Sequence, residues 1–439
     1  MNILNRLRSA ANRELLINAG SMIGTTVVTS GLGFVYWWLA ARQFPADVVG
    51  FASAAISAMS LIGTIGIVGL GTLLIGELPR HPERRGPLIT TALLVAGLLS
   101  ALLGLLFALI APAVSAEFQP LAGDASKIAL FVLGVVLTAV TLVLDQALIG
   151  LLRASLQLWR NALFALIKLA ALLPLSWWLA DTTGLGIYTT WTLGNLLSLV
   201  GLFGIVAAQR LRVRAHRPQW DLLRDLPGAA LGHHALNLAL QLPGFVLPII
   251  VTGLLSAALN ASFYMAWLML HLVFAIPYTL TTVLYAVGVA DRGAFAQKMR
   301  LTLSLATTIG LVSNVVLWLG ADLIMGVFGP SYAAEAAWTL RIMGLGVFPL
   351  IVKDHYVAVQ RIHNHIPATA ALVTLGSLLE LGLAALGTQF NGLYGLSIGF
   401  VIALYVEGLY MARPVYQAAS APAEWQPAAE AALSTPGSA

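Results

Sequence analysis

Residues 15–41 read LLINAGSMIGTTVVTSGLGFVYWWLAA, a run without a single charged side chain. Coiled as a helix, such a run is about 40 Å long. The hydrocarbon core of a bilayer is about 30 Å thick, so the run predicts a tilted membrane-spanning helix. It is about twice the length of a signal-peptide apolar core, so it is expected to stay as a first span. The rest of the chain repeats this composition. Of 439 residues, 59% are hydrophobic and 9% charged, and the mean hydropathy is +0.88. Soluble domains carry roughly 25% charged residues, so lipid is the expected solvent. Long unbroken runs exclude a barrel, whose strands alternate. The absence of cysteine excludes disulfides and thiolate metal sites. The pI near 9.6 reads as a charge bias across a membrane, not as a nucleic-acid partner.

Apolar runs of span length fall near 15–41, 48–76, 87–113, 128–151, 161–180, 184–208, 227–252, 261–289, 301–320, 336–359, 367–388 and 393–412. With a cytoplasmic N-terminus, the inner segments hold 18 of the 23 Lys and Arg, and the outer ones only Arg42 and Lys127. That split supports the count and places both termini inside. The expected class is an all-α integral membrane protein with about 12 transmembrane helices. The expected divisions are a cytoplasmic segment 1–14, a six-helix bundle 15–208, a basic linker 209–226, a second bundle 227–413 and a disordered tail 414–439. The linker contains RLRVRAHRPQW and is expected to face anionic lipid.

The halves resemble each other. Phe118-Gln119-Pro120 and Phe328-Gly329-Pro330 differ by 210 positions, Asp124 and Glu335 by 211. Asp145 and Asp354, like Gly186 and Gly395, differ by 209. A steady offset implies a duplicated unit. Two six-helix halves in parallel place a substrate cavity between them.

Ionisable groups inside spans cost several kcal/mol unless partnered or facing a polar interior, which makes them site candidates. Residues 350–366, LIVKDHYVAVQRIHNHI, set Lys353, Asp354 and His355 side by side. Neighbours on a helix diverge by about 100°, so Lys353 and Asp354 are expected to have separate partners. Arg341 lies about three turns before Lys353 and is expected on the same stripe. Lys353, Arg341 and Lys168 are candidates to bind an anionic head. Lys168 also fits snorkelling, and Arg341 a pairing with Glu335. In LGHHALNLALQLPGFVLP, His233, Asn237 and Gln241 are spaced by four and form a polar stripe. Pro243, Gly244 and Pro248 follow it and are expected to break or bend the helix. Asp145 and Asp354 precede Arg153 and Arg361 by eight and seven residues, about two turns, which puts the two charges of each helix near one face and is expected to turn them inward. Glu380 and Glu407 fit either a proton or sodium site or pairing with Lys168 or Arg341. His363-Asn364-His365 lacks further ligands for a metal. No cofactor is expected beyond a coupling ion, H+ or Na+.

The opening from Asn18 to Arg80 resembles that of polysaccharide or O-antigen flippases of the multidrug/oligosaccharidyl-lipid/polysaccharide exporter (MOP) superfamily. The resemblance rests on Asn18, Arg42 closing the first span, Gly50 opening the second and the turn at Gly69-Leu70-Gly71. Twelve spans in a six-plus-six repeat agree with it. Ile75-Gly76-Glu77 departs from the pattern, which has a basic residue beside the acid. The resemblance implies a non-enzymatic flippase for a polyprenyl-pyrophosphate-linked oligosaccharide, in the cell membrane, with glycan polymerase or other polysaccharide assembly proteins as partners. Asp145 and Asp354 then either hold the cations in place or couple transport to an ion. A cation-coupled multidrug exporter of the same superfamily and a scaffold for a glycan synthase are the alternatives. A membrane-embedded polymerase or ligase needs a sizeable outer loop, and the expected outer loops are all short.

Overall fold

The structure, a computed structural model, describes residues 10–178, 183–208, 216–221, 228–290 and 295–420. Most of the linker 209–226 and residues 421–439 of the tail lie outside the described residues. Fourteen α-helices make up the described chain: α1 Ala10–Gln43, α2 Ala46–Gly66, α3 Leu70–Arg80, α4 Arg85–Val114, α5 Ala125–Gly150, α6 Ala154–Trp178, α7 Leu185–Ala208, α8 Gly228–Leu254, α9 Ala257–Ala290, α10 Phe295–Gly326, α11 Pro330–Gly344, α12 Val347–Ile362, α13 at 366–390 and α14 at 393–420. No strand occurs among the described residues. Among the described residues, nine helices have the length and composition to cross a membrane, with α13 and α14 taken as one, and ten if the bent pair α11 and α12 is one span. Dividing the 366–420 rod at its break and adding α1, 34 residues long, brings the helices of span length to twelve. The chain is a multi-pass, all-α membrane protein. Many leucines face outward, where lipid would meet them: Leu98 is 67% exposed on α4, and Leu319 79% on α10.

Breaks fall at glycine pairs, not at prolines. The run 48–76 divides at Ile67–Gly69, where Val68 (φ 47°) and Gly69 (φ 76°) turn left-handed and α3 begins. The run 336–359 divides at Leu345-Gly346, with a bend of 46° between α11 and α12. The break expected at Pro243–Pro248 is absent, since α8 runs as one helix through both prolines. Neighbouring helices and local adjustment satisfy the carbonyls that a membrane proline frees. Helix α14 continues to Ser420, so 414–420 of the expected disordered tail is helical.

Two compact units are distinguished. The first comprises 1–266 and 325–336; the second comprises 267–324 and 337–439. In the first, α1 packs along α6, α5 along α4, α6 along α7, and α8 along α2. Several close contacts tie distant parts of this unit together. A Cβ on Gly50 would overlap the carbonyl of Ala257, so only glycine lets α2 and α9 meet there. Asn260 donates to Gly50 O (2.8 Å) and Ser53 Oγ (3.0 Å). Glu117 accepts from the Ala257 N–H at 3.1 Å. Trp38 and Arg42 both donate to the Val327 carbonyl, at 3.1 and 3.0 Å. In the second unit, α13 and α14 form an antiparallel hairpin around Asn391-Gly392. Gly387 faces Gly395, and Gly399 faces Leu383, each too close for a Cβ.

The repeat landmarks differ in local structure. Asp124 caps α5 by accepting from Ser126 N–H (2.9 Å), which holds its carboxyl below the ordinary value. Glu335 lies inside α11, because Pro330 already starts that helix.

Candidate functional site

Lys353 lies on α12, which begins at Val347 beyond the bend. Its Nζ donates to Glu380 Oε1 on α13 at 2.6 Å and lies 2.9 Å from Glu407 Oε2 on α14. All three side chains are buried, at 4%, 2% and 6% exposure. Two carboxylates thus converge on one ammonium. Gly376 on α13 makes this possible, since a Cβ there would overlap the Glu407 carboxylate. Lys353 and its neighbours diverge as helix geometry requires. Asp354 is half-buried on another face, where Lys353 and Arg361 are the charges acting on it. His355 is buried, its Nδ1 2.7 Å from Ile351 O and its Nε2 3.1 Å from Thr302 Oγ1 on α10.

Arg341 sits on α11, before the bend, so the stripe it was expected to share with Lys353 is interrupted. It donates to Asp322 Oδ2 and to Trp318 O (3.0 Å), both on α10. Glu335 is not its partner. Six residues apart on a helix are about 240° apart, which points them to different faces.

Lys168 belongs to the first unit. Its ammonium is 3.7 Å from the Trp191 ring centroid, 4.8 Å from Phe164 and 5.0 Å from Tyr36. Among the described residues no carboxylate pairs with it, and it is 4% exposed. Trp37 extends the aromatic wall, packed against Trp191 and Tyr264. Phe164 precedes Lys168 by four residues, a same-face spacing visible in the sequence. Tyr36 and Trp191 come from α1 and α7 and could only be found in three dimensions. A cation against aromatic faces gains about 0.5–2 kcal/mol, less than a buried carboxylate supplies.

Asp145, on α5, pairs with Arg160 on α6, not with Arg153. Arg160 Nε donates to Oδ1 at 2.8 Å and Nη2 to Oδ2 at 2.6 Å. Asn161 donates to Oδ2 at 3.0 Å and accepts from Arg160 at 2.8 Å. Arg153 lies beyond the end of α5, after Leu152 turns left-handed (φ 57°), so helical spacing does not reach it.

His233, Asn237 and Gln241 share α8. His233 and Asn237 are half-buried. Gln241 is exposed and donates to the Asn237 carbonyl at 3.1 Å. The three candidate cations thus have separate surroundings: carboxylates for Lys353, Asp322 for Arg341 and aromatic rings for Lys168. Among the described residues, no cluster of three His, Asp or Glu suits a metal.

No protein-family model and no curated protein matches the sequence. Solved structures do match. An inward-facing multidrug resistance MATE family transporter of the MOP superfamily aligns with a TM-score of 0.66 at 15% identity, over 90% of this chain and 96% of the other. An outward-facing form of such a transporter aligns with a TM-score of 0.59 at 15% identity, over 94% and 98%. A MOP superfamily transporter from Pyrococcus furiosus, described by a reverse polarity of its binding pocket that suggests a different function, gives 0.58 at 15%, over 94% and 98%. The chain shares the fold of these MOP-superfamily transporters over nine-tenths of its length or more.

Proposed function

We propose that the protein is an alternating-access transporter of the cell membrane. It moves a polyprenyl-pyrophosphate-linked oligosaccharide from the cytoplasmic to the outer leaflet, where glycan assembly proteins receive it. Lys168 carries this reading. A buried ammonium with no carboxylate partner among the described residues is a ready counter-charge for a pyrophosphate, and rings beside it suit stacking against sugars. Lys353 and Arg341 already hold carboxylates, which concentrates anion binding on Lys168.

The test is transbilayer movement of a short-chain polyprenyl-pyrophosphate oligosaccharide in proteoliposomes. A charge-assisted hydrogen bond contributes about 1.5–3 kcal/mol, so Lys168→Met should slow movement roughly 10- to 100-fold. Lys168→Arg should retain part of it. Undiminished movement by folded Lys168→Met protein overturns the assignment. The second reading, a cation-coupled multidrug exporter, draws on the buried carboxylates Glu380 and Glu407 and on the multidrug transporters of the same fold. Export of organic cations by the same proteoliposomes, without oligosaccharide movement, would favour it.

A further inference from the structure

Four observations single out the Lys353 cluster. Glu380 and Glu407 approach one ammonium at 2.6 and 2.9 Å, with every member buried. Two carboxylates against one lysine leave one excess negative charge inside a membrane helix hairpin, an arrangement that costs several kcal/mol unless neutralised. Both Glu407 oxygens are buried without a hydrogen-bond partner among the described residues; Oε2 has the ion-pair contact with Lys353, and Oε1 has none. Gly376 provides the space that Glu407 occupies. Of the other titratable groups on α12, Asp354 is acted on by Lys353 and by Arg361 from another face of the helix, and His355 is held between Ile351 and Thr302. From α13 only Glu380 acts on Glu407, and from α12 only Lys353.

We propose that this cluster is a proton-binding site in which Lys353 is a resident cation. The ammonium fills the seat between two carboxylates that a sodium ion would otherwise take, and Glu407 Oε1 accepts a proton from water. One proton brings the cluster to neutrality. No metal ion is needed, and none fits while the lysine is present. When the proton leaves, the remaining charge draws Lys353 and α12 tighter onto the α13–α14 hairpin, while Glu380 and Glu407 repel each other across it. That gives the second unit two states set by one proton. The inference holds for either substrate reading, because it concerns the coupling ion and not the cargo.

The experiment uses the purified full-length chain in detergent and needs no transport. Melting is measured in sodium, lithium and choline chloride at equal ionic strength. Infrared spectra across pH follow the carbonyl band of a buried carboxylic acid. The wild type should be indifferent to sodium and lithium, and should show an acid band that vanishes as pH rises. Glu407→Gln should lack that band. Lys353→Met empties the seat and should gain a sodium- or lithium-specific rise in melting temperature of roughly 2–4 °C. The double variant Lys353→Met/Glu407→Gln should lose that rise. Sodium stabilisation of the wild type, a band unchanged in Glu407→Gln, or a folded Lys353→Met protein indifferent to sodium would each overturn the proposal. If Lys353→Met does not fold, the infrared comparison of wild type and Glu407→Gln decides it alone.

Discussion

Asp145→Ala should lower stability by about 3–5 kcal/mol, the usual effect of removing one member of a buried ion pair. The reason lies with the partner. Arg160 is 4% exposed and directs Nε and Nη2 at the two carboxylate oxygens. Without Asp145 the guanidinium stays buried with only Asn161 to accept from it. The loss also cuts the tie between α5 and α6 across their short turn. Asp145→Leu/Arg160→Leu should recover much of the loss, because apolar groups of similar volume avoid the uncompensated charge. Equilibrium unfolding in detergent micelles measures both. A double variant no more stable than Asp145→Ala would show that the pair contributes more than mutual neutralisation. Arg153→Ala should leave stability within about 0.5 kcal/mol, as its charge takes no part in the pair.

Gly50→Val should part α2 from α9 in the first unit. A Cβ at position 50 overlaps the Ala257 carbonyl, so α2 and α9 must separate. Separation breaks the Asn260 bonds to Gly50 and Ser53 at 2.8 and 3.0 Å. Overpacking of this kind costs about 1–3 kcal/mol, which corresponds to roughly a 5- to 150-fold rise in the open population. The chain has no cysteine, so one cysteine placed at Ser53 is a clean reporter. Ser53 is fully buried and should resist maleimide in the wild-type background. It should react readily in Gly50→Val. Equal labelling in both would mean that this contact does not hold α2 and α9 together.

Polar residues in spans could be picked out one by one, but not their partners. Lys353 was visible as a cation in a greasy run, and Glu380 and Glu407 as acids in later ones. Nothing in their spacing paired them, because α12, α13 and α14 meet only after the hairpin at Asn391-Gly392 has folded. The one pairing drawn within a helix, Arg341 with Glu335, gave way to a partner on another helix, Asp322, and Asp145 met Arg160 on the next helix, not Arg153 eight residues on along its own. Helical spacing fails once the helix ends, as it does at Leu152, or when the residues lie on different faces. The aromatic surroundings of Lys168 were half legible: Phe164 by its spacing of four, Tyr36 and Trp191 not at all.

By itself the sequence determined the solvent, the helical class and the places where helices cross. Those follow from the transfer energy of side chains and from the need of every backbone amide in lipid to bond within its own helix, both local properties. The bends were open until the chain was folded. Pro243 and Pro248 pass through a continuous α8, while Val68-Gly69 and Leu345-Gly346 interrupt their runs. Whether a helix tolerates a freed carbonyl depends on what packs beside it. The same holds for charge. Burial makes each ionisable group need a counterpart, but geometry across helices decides which counterpart it meets, and so which cation remains for a substrate.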